Sequence, residues 1–183
     1  MSSIVEKWAR PGGEQAHLLY AEIARAARMP EFYLRFNVED TLDGRFDTLT
    51  LMVVLVVRRL NNAGKEGTAL AQEVIDMMFA DMDLSLHEIG VSENKVGKKV
   101  KTMATAFLGR MKAYSSALDN GDSAELGAAL SRNLYRDNGT DPLLNGLVEA
   151  VEGHARRLAA LADRDLLAAS PSLEFDIPDQ ISS

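Results

Sequence analysis

The sequence predicts an all-α fold: a single compact domain of about six to seven helices whose buried centre is formed by residues 44–62, 68–89 and 94–118. Three observations carry this. Apolar residues recur at helical spacing through most of the span from residue 14 to 168. Where that spacing breaks, glycine, proline or a short polar side chain stands at the break. A chain of 183 residues suits one domain and can bury a core without disulfides or metal staples. Residues 1–13 and 169–183 read as a flexible lead and a flexible tail around the helical domain 14–168.

The first helix is expected over EQAHLLYAEIARAAR, with Ala16, Leu19, Ile23, Ala26 and Ala27 inward. Pro30 interrupts it, and the aromatics Phe32, Tyr33 and Phe36 that follow are expected to plug the core. Asp40 or Asp43 can cap the next helix, which runs to about Asn62. Its centre, LMVVLVV, is apolar on every side and could be a buried strand. Its length and the helix signals at both ends favour a central buried helix instead. Arg58 and Arg59 then fall in the last turn, where cations suit the helix dipole.

From Thr68 the chain makes a helix rich in methionine and acid, with Leu70, Val74, Met77, Met78, Met82 and Leu86 on its apolar side. Asp81 projects onto that side too and needs a partner if buried, for which Arg45 and Arg59 are candidates. After Gly90, Ser92 can cap a helix with an inner stripe of Val96, Val100, Met103, Phe107, Met111, Tyr114 and Leu118. Lys95, Lys98, Lys99, Lys101, Arg110 and Lys112 project to its other side. Gly121 ends that run, Ser123 opens a shorter helix to about Tyr135, and RDNGTDP is a loop. Asp141 and Pro142 then read as the cap and first position of a last helix reaching about Leu167.

Composition excludes several kinds of chemistry. There is no cysteine, hence no disulfide, thiolate metal site or cysteine nucleophile. The three histidines lie too far apart for a zinc-helix motif, and Asp81-Met-Asp83 lacks the glycine of a calcium loop. Asp76 and Asp83 could form an acid–base pair, but a solvated face accounts for them as well. No cofactor is expected. The longest apolar run, Leu49–Val57, is far short of the roughly 20 residues of a membrane span. MSSIVEKWARPGG does not read as a signal peptide, so a cytoplasmic chain is expected. With a net charge of −7, contact with nucleic acid or anionic lipid would need a local basic patch. The lysine-rich face is either a solvated surface or such a patch. Likewise, Met77, Met78 and Met82 are either core or an adaptable surface for apolar guests.

Three long blocks carry a resemblance. ARMPEFYLRFNVEDTLDGRFDTLTL, FADMDLSLHEIGV and VGKKVKTMATAFLGRMKAY resemble the ubiquinol–cytochrome c chaperone family, over about Leu18 to Leu118 and weakly beyond. The resemblance implies an all-α assembly factor, not an enzyme, that binds newly made cytochrome b until it joins the respiratory complex. The family's mitochondrial member works with a small partner protein near the ribosomal tunnel exit, so a small protein partner is implied. Through its basic helix face the chain is expected to reach the ribosome or the anionic membrane surface, giving a peripheral place at the inner membrane. No specific DNA contact is implied. Candidate client-binding residues are Asp40, Asp43, Arg45 and Phe46 in the first block, and Asp81, Asp83, His87 and Glu88 in the second. On the basic helix they are Lys95, just before the third block, and Lys98, Lys99, Lys101, Arg110 and Lys112 within it. Met52, His87 and Leu108 depart from the pattern, where a histidine, an arginine and an aromatic are common. The alternative from a different class is a helical adaptor that binds RNA or an acidic protein through the basic helix face.

Overall fold

A computed structural model of the chain describes residues 13–136, 143–168 and 173. Among these, every regular element is a helix. In chain order they are α1 (Glu14–Ala27), α2 (Pro30–Leu34), α3 (Leu42–Asn61), α4 (Gly64–Glu88), α5 (Glu93–Asn120), α6 (Ser123–Leu134), α7 (Leu144–Ala160) and α8 (Asp163–Leu167). The expected lead, the Asp141–Pro142 helix start and most of the expected tail lie outside the described residues. Within that tail segment, however, Leu173 is fully buried, where little burial was expected.

The all-apolar stretch is a helix, and it is the centre of the molecule. From Leu51 to Val57 every residue of α3 is buried, Met52 included. The helix packs against α1, α4, α5, α6 and α7. A helix surrounded on all sides needs no polar face, which is why its sequence lacks one. It begins at Leu42 with Thr41, rather than Asp40 or Asp43, as its cap: the Thr41 hydroxyl accepts the Gly44 N–H at 3.1 Å.

Helix α4 starts at Gly64, a turn earlier than the glycines suggested. Gly67 is no helix breaker here. It is buried against the Leu60 carbonyl, where the tight turn from α3 leaves no room for a Cβ. At the far end Gly90 takes φ 80°, a left-handed turn that a Cβ would oppose, and the chain reverses into α5. Phe79 and Phe107 meet edge-to-face at 5.6 Å and join α4 to α5. The pairs Asp47–Arg110 and Arg58–Asp119 lie about three turns apart along α3 and occur in the same order along α5, so these two helices run parallel with α4 antiparallel to both.

The aromatics after Pro30 divide as expected: Phe32 and Phe36 are fully buried, while Tyr33 is half-buried beside Thr48. Helix α6 is capped by Asp122, whose carboxylate accepts the Glu125 N–H at 2.8 Å. The last expected helix is broken in two at Leu161. Arg59 explains the break: its guanidinium donates to the carbonyls of Leu158 and Leu161 and to Asp163, satisfying the end of α7 and seating α8. No helix among the described residues is long and apolar enough to cross a membrane.

Candidate functional site

An open groove of about 380 Å³ runs between the start of α3, the middle of α5 and the end of α6. Leu42, Asp43, Phe46 and Asp47 line it from α3, and Leu86 from the end of α4. Lys99, Thr102, Met103, Ala106 and Arg110 line it from α5, and Arg132, Asn133 and Arg136 complete it from the α6 side. Parts of all three sequence blocks therefore meet on one surface feature.

The floor of the groove is a charge network. Arg110 Nη2 donates to Asp47 Oδ1 at 2.6 Å, and its guanidinium lies 5.3 Å from the centre of the Phe46 ring. Arg136 reaches Asp43 at 3.4 Å and Asp47 at 3.5 Å, much longer contacts. Burial pushes the Asp47 carboxyl up to about 6, although Arg110 and Arg136 both pull it down. Arg136 itself adopts the left-handed region at φ 54°, a conformation that costs a side-chain-bearing residue on the order of 1–3 kcal/mol. The neighbouring Tyr135 hydroxyl donates to the Phe36 carbonyl at 2.6 Å and ties the end of α6 to the loop before α3.

Of the residues singled out in the sequence, Asp43, Phe46, Lys99 and Arg110 line this groove. The others do not. Asp40 and Arg45 pair with each other at 2.7 Å on the surface, and that guanidinium holds the Asp40 carboxyl below its usual range. Asp81 is paired with neither Arg45 nor Arg59: it accepts the Tyr20 hydroxyl at 2.6 Å, so its partner comes from α1. Asp83 faces His87 at 3.6 Å across one turn of α4, and Glu88 is exposed at its end. Asp76 accepts from Gln72 at 2.7 Å, so Asp76 and Asp83 make no acid pair.

The basic face of α5 also splits. Lys95, Lys98, Lys101 and Lys112 are exposed outside the groove lining, with Leu108 exposed beside them. Lys99 and Arg110 turn to the groove, and Arg110 is mostly buried, contrary to the expectation that it shares the outer face. Met78 and Met82 are core, with Met77 half-buried against it. Asp47, Arg132, Asn133 and Arg136 were missed. Asp47 had a signal: it stands in DGRFDT one turn after Asp43, directly before the all-apolar run. The α6 residues had none, because only the fold brings them to the other blocks.

Among the described residues no group of histidines and carboxylates is arranged to hold a metal ion. An all-helical body with an open, mixed apolar and cationic groove is the build of a protein that holds another molecule. Comparison with known proteins makes the class specific. The family model for ubiquinol–cytochrome C chaperones matches residues 34–175, extending well past Leu118. The chain belongs to this family. It is 25% identical over 150 residues to mouse ubiquinol–cytochrome c reductase complex assembly factor 1, covering 81% of this chain and 50% of that one. The human protein of the same name matches at the same identity and coverage. The Xenopus laevis counterpart is 27% identical over 138 residues, covering 75% of this chain and 68% of that one. The chain thus spans about half the length of the mouse and human relatives. The crystal structure of the Cbp3 homologue from Brucella abortus is similar over 98% of both chains, with a TM-score of 0.82 and 33% identity.

Proposed function

We propose that this protein is an assembly chaperone that binds newly made cytochrome b and holds it until it enters ubiquinol–cytochrome c reductase, with the groove between α3, α5 and α6 as its client surface. The observation that carries this is the match of residues 34–175 to a chaperone family and the similarity to the Brucella abortus Cbp3 homologue over 98% of the chain, combined with the convergence of three separated blocks on one open groove. A polytopic membrane protein exposes apolar surface before assembly, and a soluble partner that covers it prevents aggregation. Holding requires complementary surface and no bond chemistry.

The outer side of α5 supports a peripheral place at the inner membrane. Lys98, Lys101 and Lys112 are exposed around Leu108, and lysines near an anionic leaflet contribute roughly 1 kcal/mol each. Flotation with anionic vesicles should carry the protein, and Lys→Glu changes at these positions should release it.

The deciding experiment is a crosslinked pulldown of the tagged full chain from its native membrane. Cytochrome b should be recovered, and deletion should lower assembled ubiquinol–cytochrome c reductase while other respiratory complexes persist. Unchanged cytochrome b levels in the deletion would refute the assignment. Salt-sensitive RNA recovery without a respiratory defect would favour the adaptor reading of the basic face instead.

A further inference from the structure

We infer that the groove selects an acidic, apolar stretch of a not yet assembled polypeptide: Lys99, Arg132 and Arg136 receive its carboxylates, while Leu42, Phe46 and Met103 receive its apolar side chains. This rests on the chaperone reading for the kind of occupant and adds the chemistry by which it is chosen.

Charge complementarity is the main argument. Among the described residues, Lys99, Arg110, Arg132 and Arg136 line the groove against Asp43 and Asp47, a local positive surplus in a chain of net charge −7. These cations are not equivalent. Arg110 is committed to Asp47 at 2.6 Å and stacked on Phe46, so it builds the floor. Lys99 and Arg132 are exposed and make no ion pair among the described residues. Arg136 holds its two acids at 3.4 and 3.5 Å, at the limit of hydrogen bonding, with 44% of its side chain exposed. It can exchange those contacts for a closer carboxylate at little cost. Long cationic side chains beside apolar walls match a segment that alternates acid and hydrocarbon.

A polypeptide fits better than a nucleic acid. Asp43 and Asp47 stand in the wall and would repel a continuous phosphate chain, whereas a peptide can place its neutral positions there. The cavity, about 380 Å³, holds a few side chains rather than a folded domain.

The test uses the full chain and a short fluorescein-labelled peptide with leucine and glutamate at helical spacing, read by fluorescence anisotropy. Its glutamine counterpart and a single-stranded RNA oligonucleotide are the comparison probes. The groove variant is Lys99→Glu with Arg132→Glu; the outer-face control is Lys98→Glu with Lys112→Glu. All four side chains are exposed, so the core is left intact. The acidic peptide should bind the groove variant at least about tenfold more weakly than the wild type, the glutamine peptide should bind the wild type about as weakly, and the outer-face control should bind the acidic peptide unchanged. p-Benzoylphenylalanine placed at Thr102, in the groove, should crosslink the peptide, and at Thr105, outside the groove lining, should not. Equal binding of the two peptides, loss only in the outer-face control, crosslinking only at Thr105, or RNA displacing the peptide would each overturn the proposal. Recovery of cytochrome b by a groove variant that fails the peptide assay would remove the groove and keep the chaperone reading. Peptide binding without cytochrome b recovery would do the reverse.

Discussion

The carboxylate of Asp47 on α3 and the guanidinium of Arg110 on α5 lie 2.6 Å apart, both largely withdrawn from water, and this contact joins two parallel helices at the floor of the groove. A buried pair contributes little against an apolar replacement, but losing one member leaves the other charge uncompensated. Arg110→Ala should therefore cost about 3–5 kcal/mol at neutral pH, measured by urea denaturation. The cost should shrink at pH 5, where a protonated Asp47 no longer needs a counter-charge.

That pH dependence has a definite sign. Burial raises the folded carboxyl of Asp47 to about 6, above the value of about 3.9 for an unfolded aspartate. Between these values the folded state binds more protons than the unfolded state, so this group lowers stability as pH rises from about 4 to about 6 and adds no further change above that. Asp47→Asn removes the effect while leaving other carboxylates, such as the depressed Asp40, unchanged. The wild type should thus gain roughly 2–3 kcal/mol relative to Asp47→Asn on going from pH 7 to pH 4. A constant difference between the two proteins across that range would show that Asp47 does not titrate there.

The helical period of this chain was legible because it is a local property, whereas the caps were not: Thr41 rather than Asp40 or Asp43 caps α3, Asp122 caps α6, and Ser92 at the start of α5 makes no side-chain cap bond. Leu19, Ile23, Val74, Val100 and Phe107 were all placed inward from spacing alone, and all are buried. Partners across the fold were not legible. Asp81 was correctly read as needing a partner, yet Tyr20 supplies it from sixty-one positions away. A neutral donor leaves no charge pattern in the sequence to search for. Arg110 was misread for a different reason. It sits at the edge of the lysine-rich face, and only the neighbouring α3, which presents Asp47, turns it inward. Most of the groove comes from α3 and α5, whose blocks were recognised; the turn into α6 was legible at Gly121, but not that it brings Arg132, Asn133 and Arg136 to face those blocks.

The Tyr20–Asp81 hydrogen bond fastens α1 to α4. Burial and the adjacent Asp81 hold the Tyr20 hydroxyl well above its ordinary range, so it stays a donor under all working conditions. Tyr20→Phe should cost about 1.5–2 kcal/mol, the lower part of the range for bonds to charged groups, because Asp81 is only half-buried and water can replace the donor. Hydrogen exchange should quicken in α1 and stay unchanged in α5 and α6. Unaltered protection of α1 would show that its apolar face alone seats it.

Three glycines inside helices separate packing from propensity. A Cβ on Gly67 would strike the Leu60 carbonyl and lie 2.8 Å from the Ala63 Cβ, so Gly67→Ala must pry α3 from α4. It should cost about 1–3 kcal/mol by denaturant titration. Gly97 and Gly109, both exposed within α5, would place a new Cβ within 4 Å of nothing. Alanine at each should stabilise the helix by roughly 0.8–1 kcal/mol, since glycine carries the larger entropy loss on folding. The double variant should show close to the sum, because the two sites share no neighbour. A gain at Gly97 and Gly109 with a loss at Gly67 would mean that only the last is required by the fold. The helix would then bear the cost of two glycines on its exposed side with no return from its own packing. A loss at all three would instead mean that α5 is more tightly surrounded there than its open surface indicates.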